Sequence, residues 1–130
     1  MKIIDGENAV LGRLASYAAK EALKGEEIAV INAEKIIITG NKSWIKSEFT
    51  RKRKMVGSSQ KGPRHSVLDY LLVKRVIRGM LPNHRTGKGR EAFKKIKCYK
   101  GFPEEFKDKK IIKIIGKEKN KFVKVENISK

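Results

Sequence analysis

The residues best suited to chemistry in this sequence are the lysines and arginines between Arg51 and Lys100. This stretch contains the basic runs RKRK and NHRTGKGR together with both histidines of the chain. Ammonium and guanidinium groups bind phosphate oxygens, and a guanidinium can bind two of them at once. A packed core does not need so many cations, whereas a polyanion neutralises them, and nucleic acid is the leading candidate.

The charge is distributed unevenly along the 130 residues, whose formal net charge is +18. Residues 1–40 contain 5 Lys and Arg against 6 Asp and Glu, whereas residues 41–102 contain 18 against 3. Residues 103–130 contain 9 against 5. A surface that only needs solubility mixes the two signs, so this division indicates a near-neutral folding unit followed by a basic binding region.

No catalytic or metal-binding motif accompanies the cations. The patterns H-E-x-x-H, G-x-S-x-G and G-x-G-x-x-G are absent, and the nearest phosphate-loop pattern has Pro63 where lysine is required. His65 and His84 lack neighbouring cysteine or acidic ligands, so contact with RNA or plain exposure is favoured over metal binding. We therefore expect no enzymatic activity, no cofactor and no small-molecule substrate.

The compartment is indicated by what the sequence does not contain. A single cysteine, Cys98, excludes an intramolecular disulfide and a cysteine-based zinc site. The N-terminus has no basic segment followed by an apolar run, and no stretch approaches about 18 consecutive apolar residues. These features predict a reducing, cytoplasmic setting with no membrane association.

An α/β scaffold is predicted to position the cations. Lys2–Asp5 predicts a strand, and an apolar stripe of helical period predicts a helix that Asn8 caps and Gly25 ends. The β-branched runs 28–32 and 36–39 predict strands buried on both faces, as in a parallel sheet, although their mutual direction is left open. Strand, helix and strand in succession are typical of the α/β class.

The first basic segment follows a predicted helix that Gly40 and Asn41 open. If helical, Arg51–Lys54 point in successive directions about 100° apart, so no face of that turn remains for the core. The turn must therefore project into solvent or into a partner. Residues 56–63 follow as a flexible linker by composition.

The second basic segment begins with a predicted helix at Val67, where Ser66 and Asp69 resemble a capping box. Residues 83–90 then predict a glycine-rich basic loop whose backbone N–H groups can approach phosphates. The helix has an apolar face formed by Leu68, Leu72, Val73, Val76 and Ile77. Its other side has a cationic stripe formed by Lys74, Arg75 and Arg78. A helical turn at 91–95 and strands near 96–99, 111–115 and 122–125 complete the prediction.

Five segments match a known family. They are DGENAVLGRLAS at Asp5–Ser16, INAEK near Asn32, ITG at Ile38–Gly40, RVIRGMLP at Arg75–Pro82 and KCYKGFP at Lys97–Pro103. Together they resemble the large-subunit ribosomal proteins of the L-thirteen family over roughly the first four-fifths of the chain. The short N-terminus and the RKRK run are more similar to the archaeal and eukaryotic cytosolic branch than to the bacterial one.

The resemblance implies a fold and a set of partners. The implied fold is a three-layer α/β/α core with a four-stranded, mainly parallel sheet and basic loop extensions. The implied role is to bind large-subunit ribosomal RNA beside neighbouring ribosomal proteins and to support subunit assembly, without catalysis. We expect one domain over residues 1–130, with a basic RNA-binding region at 42–100 and a lysine-rich C-terminal tail at 107–130.

The expected RNA-binding residues are the cations and histidines of the basic region and one arginine of the first helix. The resemblance implies part of this set, because the RNA-facing region of the family carries over to Arg51–Lys54, Arg64, Arg75, Arg78 and the 83–90 loop. The full set comprises Arg13, Arg51, Lys52, Arg53, Lys54, Lys61, Arg64, His65, Lys74, Arg75, Arg78, His84, Arg85, Lys88, Arg90, Lys94 and Lys97.

Other functions are also compatible with the sequence. An RNA-modifying or nucleotide-dependent enzyme would need convergent polar groups, yet Asp69 and Glu91 are the only acids after Glu48 in the basic region. A polybasic module on anionic membranes or acidic proteins would need exposed apolar anchors. A regulatory RNA-binding role off the ribosome also fits. Aromatic residues make up 7% of the chain, which disfavours a base-stacking platform for single strands.

Overall fold

The computed structural model describes residues 1–55, 64–114, 116 and 120–129. The predicted linker at 56–63, and Lys61 within it, therefore lie outside the described residues. No helix in the described ranges combines the length and apolar character needed to cross a membrane. The elements in chain order are β1 (Lys2–Asp5), α1 (Leu11–Leu23), β2 (Ile28–Ile31), β3 (Ile37–Thr39), α2 (Lys42–Lys54), α3 (Asp69–Gly79), α4 (Gly87–Lys94), β4 (Ile96–Cys98), β5 (Ile111–Lys113), β6 (Phe122–Lys124) and α5 (Val125–Ile128).

Four strands form the central sheet in the order β4-β2-β1-β5, and each neighbouring pair is parallel. In the register of this sheet, Ile4 of β1 lies beside Val30 of β2 and Ile112 of β5. All four residues of β2 are buried, as expected for an inner parallel strand with both faces covered. The α/β class and the four-stranded parallel sheet predicted from the sequence are confirmed.

The two faces of the sheet pack against different partners. On one face, Ile4 and Val30 belong to the main core, which also contains the buried residues of α1, α3 and α4. On the other face, Ile3 and Ile31 pack with Phe106, which lies in a single 3₁₀ turn at Glu104–Phe106. Helices α3 and α4, which carry six of the predicted RNA-binding cations, therefore stand on the same face of the sheet as α1.

Helix α1 confirms the predicted apolar stripe but not its predicted cap. Leu14, Ala15 and Ala18 are fully buried, and these small side chains allow the helix to lie close to the sheet. The N-cap residue is Val10, which makes no side-chain capping bond. Asn8 was the wrong candidate, because it takes a left-handed turn conformation with φ +56° ahead of the helix, which asparagine tolerates well.

Strand β3 is not part of the central sheet, which corrects the prediction for residues 36–39. It pairs antiparallel with β6 in a separate two-stranded sheet. Only a 3₁₀ turn at Ala33–Lys35 separates it from β2, and a parallel neighbour needs a much longer crossover. Strand β6 and helix α5 then place Val123, Val125 and Ile128 in the main core, so this lysine-rich part of the chain belongs to the packed fold.

Helix α3 begins two residues later than predicted. The Ser66 hydroxyl accepts the N–H of Leu68 at 3.1 Å, so Ser66 and Asp69 do not form a capping box. Asp69 is instead buried, and its carboxylate lies 3.4 Å from the ammonium group of Lys100. Leu68 was expected on the apolar face but is 50% exposed, because it precedes the first helical turn.

Helix α4 occupies half of the segment predicted as a glycine-rich loop at 83–90. Residues 87–90 form its first turn, and only 83–86 remain as a connecting turn. The reason for glycine at position 89 is packing, because a Cβ there would stand 1.7 Å from the carbonyl oxygen of Pro82. That the small residues of this segment let backbone N–H groups approach a phosphate stays a prediction.

Two glycine-to-alanine substitutions test this close approach. Gly89→Ala should lower the free energy of unfolding by about 1–3 kcal/mol, because the backbone of Pro82 must move to admit the methyl group. Gly12→Ala is the matched control, since a Cβ at that exposed position of α1 meets nothing within 4 Å. It should raise stability by about 0.5–1 kcal/mol. Urea unfolding that showed equal effects for the two variants would contradict the packing of α4.

Glu21 ties α1 to β1. Its buried carboxylate accepts hydrogen bonds from the ammonium groups of Lys2 and, at 2.7 Å, Lys24. These two bonds, in that order of importance, lower the pKa of Glu21 to about 2 from an ordinary value of 4.5, against the opposing effect of desolvation. The ionised carboxylate is therefore part of the folded state over most of the pH range.

The stability contribution of Glu21 should depend on pH. Because its pKa is lower in the folded chain than in the unfolded one, the contribution is complete above about pH 4.5 and is lost as the pH falls toward 2. Glu21→Gln should thus be less stable than the unmodified protein near neutral pH, and the difference should shrink in acid. Glu104→Gln removes an exposed pair with Lys107 and serves as the control, with little effect expected at any pH. A pH-independent difference for Glu21→Gln would refute the assignment.

Candidate nucleic-acid interface

The first group of predicted cations lies at the C-terminal end of α2. The Asn41 side chain caps this helix by accepting the N–H of Ser43 at 3.0 Å, and Ile45 anchors the helix in the core. In the last turn, Arg51 pairs with Glu48, while Lys54 is exposed. The helix therefore holds its cationic end at a fixed place relative to the core.

Arg53 corrects the expectation that no side of this turn contacts the protein. Its Nη1 donates a hydrogen bond of 2.6 Å to the backbone carbonyl of Ile128, at the end of α5. The last carbonyl groups of a helix lack partners within that helix, so a guanidinium satisfies one of them. Nε and Nη2 of Arg53 are buried without a hydrogen-bond partner in the part of the chain that the structure describes.

A basic patch forms where the end of α2 meets the segment before α3. Nη1 of Arg75 donates to the backbone carbonyl of Arg64 at 3.0 Å and so ties that segment to α3. His65 is half-buried at the junction, and its pKa is lowered from 6.5 first by burial and then by the charges of Arg75, Lys52 and Arg53. We use the term basic patch for Lys52, Arg53, Arg64, His65 and Arg75.

A second cluster is organised by Phe93 of α4. The Lys74 ammonium lies 5.0 Å from the centroid of the Phe93 ring, and the His84 ring meets it edge-on at 6.4 Å. Because Lys74 precedes Arg75 on α3, this Phe93 cluster adjoins the basic patch. Sequence reasoning missed Phe93, although an aromatic ring within the run KGREAFKK was a signal for cation–π contact.

The turn before α4 presents further cations. The Asn83 carbonyl oxygen accepts the N–H of Arg85 at 3.2 Å, and the Asn83 amide donates to the Thr86 hydroxyl at 2.8 Å. These bonds order the turn and leave the Arg85 side chain exposed, followed by exposed Lys88 and Arg90 on α4. Arg78, on the solvent side of α3, is partly exposed as the predicted stripe requires.

Most of the predicted cations have no carboxylate partner within the described ranges. The ion pairs there use Lys2, Lys24, Lys35, Arg51, Lys100 and Lys107. Of the predicted RNA-binding residues, Arg51 alone is in this set. Arg53 is also held, because its guanidinium is bonded to Ile128 and otherwise buried. The remaining positive charge on α2, α3 and α4 is thus available to an external polyanion.

Three predicted residues lie away from the basic patch. Arg13 is exposed on α1, with Nη1 close to Gly116, which follows the edge strand opposite β4. Lys94 and Lys97 share a cleft of about 310 Å³ with Glu27 and Glu91, so acidic groups accompany these two lysines. Residues 1–55, 64–114, 116 and 120–129 contain no group of three His, Cys, Asp or Glu side chains that could hold a metal ion.

The fold and this surface define a class, a basic α/β protein with a parallel four-stranded sheet and a cation-rich helical face. A family model narrows the class further, because the model described as Ribosomal protein L13 matches residues 1–105. The chain belongs to the ribosomal protein L13 family. The family resemblance inferred from the sequence motifs is therefore confirmed.

Relatives of known name agree with the family model. Large ribosomal subunit protein uL13 of Methanopyrus kandleri is 55% identical over 101 residues, which cover 78% of this chain and 62% of that protein. The uL13 of Methanococcus maripaludis is 52% identical over 107 residues, 80% of this chain and 77% of the relative. That of Methanococcoides burtonii is 35% identical over 135 residues, 100% of this chain and 96% of the relative. The chain thus spans less than two thirds of the length of the Methanopyrus protein and more than two thirds of the length of the other two relatives.

The geometry of the basic patch can be tested through the titration of His65. Arg75→Gln should raise the pKa of His65, because it removes the largest of the charges that lower it, while burial keeps the value below 6.5. Arg78→Gln is the matched control on the same helix and should leave the titration unchanged. An NMR titration of the imidazole protons measures both values, and an equal response to the two substitutions would be inconsistent with the patch.

Proposed function

We propose that this protein is a structural, non-enzymatic component of the large ribosomal subunit in the cytoplasm, where it binds large-subunit ribosomal RNA and supports assembly. The observation that carries this proposal is the set of cations on α2, α3 and α4 that lack carboxylate partners in the described ranges. The names of the uL13 relatives support the ribosomal setting. We further propose that residues 1–130 act as one domain with its RNA-binding region at 42–100.

The basic patch is suited to bridge separate segments of RNA. It brings Lys52 of α2 and Arg75 of α3 to one junction, where the Lys52 ammonium and the Arg75 guanidinium can each bind phosphate oxygens. RNA segments that approach each other repel through their phosphates, and fixed cations between them offset this repulsion. Such bridging is how the protein would hold a tertiary fold of RNA during assembly.

The contacts within the patch reduce the entropy lost on binding. Arg75 is held by the backbone of Arg64, and in the adjoining Phe93 cluster Lys74 lies over the ring. Side chains that are already oriented lose less rotamer freedom when they meet a phosphate. His65 adds a conditional contribution, because a phosphate nearby would raise its pKa and recruit a further charged donor.

The titrating groups favour binding over catalysis. Burial raises the pKa of the Cys98 thiol to about 12, with a smaller opposing effect from Lys74, so the thiolate nucleophile is disfavoured. The pKa of Glu21 is lowered by hydrogen bonds from lysines that join α1 to β1, which is a structural cause. Neither group is arranged as the acid, base or nucleophile of a reaction, which supports the non-enzymatic assignment.

Neighbouring large-subunit proteins are the other proposed partners.

The salt dependence of RNA affinity tests the proposed interface. Affinity for large-subunit RNA should fall by about 0.7–0.9 log units per log unit of salt for each phosphate neutralised. A triple variant with Lys74, Arg75 and Arg78 changed to Gln should therefore reduce the slope by roughly two to three units. Filter binding over a series of salt concentrations measures the slope.

The matched control removes the same charge elsewhere. Lys20, Lys110 and Lys113 are exposed, and none of them makes an ion pair in the described chain. Changing these three to Gln should leave the slope close to that of the unmodified protein. Equal losses for the two triple variants would show that only net charge matters, and a flat salt dependence would rule out the proposed mode of binding. Co-sedimentation with large subunits through a high-salt gradient tests the ribosomal setting independently.

A further inference from the structure

A cleft at the other end of α2 is not explained by the basic patch. It has a volume of about 340 Å³ and is lined by Gly40, Asn41, Lys42, Asn120, Lys121 and Phe122. None of these residues belongs to the RNA-binding set expected from the sequence. The cleft lies between the start of α2 and strand β6, where the two-stranded sheet ends.

The walls of the cleft are held by the backbone. The N–H of Gly40 donates to the carbonyl of Lys121 at 3.1 Å, and the neighbouring pair of the ladder joins Thr39 to Phe122. Gly40 has φ +135°, and a Cβ there would lie 3.2 Å from Cδ1 of Ile45, so a larger residue would strain the turn. The separation of the two walls is therefore set by covalent geometry and hydrogen bonds.

The side chains around the cleft combine aromatic, cationic and amide groups. Phe122 is 43% exposed, and Trp44, on the first turn of α2, is 65% exposed. Lys42 and Lys121 supply two ammonium groups, and the described residues that line the cleft include no carboxylate. The Asn120 amide and the Nδ2 group of Asn41 remain for further hydrogen bonds, since Oδ1 of Asn41 caps the helix.

We propose that this cleft binds one unpaired nucleotide of RNA, with the base against the Phe122 ring and the phosphate between Lys42 and Lys121. Stacking on an exposed ring, ammonium contacts to phosphate and amide contacts to base edges are the chemistry that recognises splayed nucleotides. A protein partner would instead require a continuous apolar area, whereas here the Phe122 ring stands among lysines and asparagines. One nucleotide is enough for this cleft, and a stacking platform is not required.

This inference rests on the proposed RNA binding and extends it. The basic patch supplies contacts to phosphate that do not depend on the base, whereas the cleft adds a contact that only an unpaired nucleotide can make. The two sites can be separated by experiment, because substitutions at the cleft leave Lys52, Arg53 and Arg75 unchanged.

The probe is an oligouridylate of about eight nucleotides, compared with a blunt RNA duplex of equal length. Phe122→Leu keeps an apolar residue in β6 but removes the ring, and it should weaken oligouridylate binding about tenfold. Phe102→Leu is the matched control, since Phe102 follows β4, is 41% exposed and is not among the described residues that line the cleft. It should bind like the unmodified protein. Circular dichroism confirms that both variants fold.

Two further readouts locate the bound base. Trp44 is the only tryptophan of the chain, so quenching of the intrinsic fluorescence by oligouridylate and not by the duplex reports a base near the start of α2. Ultraviolet irradiation of the complex should cross-link uridine to a peptide that contains Phe122 or Trp44. Lys42→Gln combined with Lys121→Gln should reduce both signals.

The outcomes separate the cleft from the basic patch. Equal affinity of Phe122→Leu and Phe102→Leu for oligouridylate, with cross-links elsewhere, would overturn the proposed nucleotide site in the cleft. The proposed function would stand in that case if large-subunit RNA still bound normally. Failure of the unmodified protein to bind large-subunit RNA would overturn both. Large subunits that contain the Phe122→Leu variant can also be compared with unmodified ones for their protein content. If they lacked a neighbouring large-subunit protein while the RNA cross-links were unchanged, the cleft would bind protein instead.

Discussion

Repulsion between like charges at the junction of α2 and α3 is the constraint that the rest of the structure must offset. Lys52, Arg53 and Arg75 all act on His65, and their charges contribute to its lowered pKa. The near-neutral first part of the chain supplies the opposing stability, because β2 is buried along its whole length and α1 packs through alanines. The near-neutral first part of the sequence thus provides the stable core, and the basic region provides the charged surface.

Contacts that are distant in sequence convert these cations into an oriented surface. Arg53 reaches Ile128, which lies 75 residues later in the chain, and Asp69 is paired with Lys100 at the end of β4. The family model ends at residue 105, so the segment that holds Arg53 lies beyond the matched part. Helix α5 therefore supports the basic patch without contributing a cation to it, which gives the C-terminal region a structural role.

The sequence predicted elements whose pattern is local and missed those that depend on distant contacts. The alanine stripe of α1 and the β-branched run of β2 are local patterns, and both predictions are confirmed. The pairing of β3 with β6 depends on a segment more than 80 residues away, and no local pattern reveals it. The close approach of Gly89 to the Pro82 carbonyl is likewise visible only in three dimensions.

The same distinction applies to the candidate site. That α3 carries a cationic stripe follows from helical periodicity alone, whereas the contact of Arg53 with Ile128 has no signature in either segment. Phe93 is an intermediate case, since its cationic neighbours were visible but the position of Lys74 over its ring was not. Charge composition indicates that a surface binds, and only the packing shows which cations are free to do so.

Helix α2 separates the two proposed RNA contacts by a fixed distance. It has 13 residues, which at the rise of an α-helix corresponds to about 20 Å between the cleft at its start and the basic patch at its end. Long-range attraction to phosphates acts on any RNA. The proposed contact in the cleft, by contrast, can form only when the RNA presents an unpaired nucleotide at that distance. A rigid spacing of this kind selects among RNA folds without reading a base sequence, because an RNA that satisfies one contact with the wrong geometry loses the other. The single buried side chain of α2, Ile45, keeps both ends of the helix in register with the core, as the two proposed contacts require.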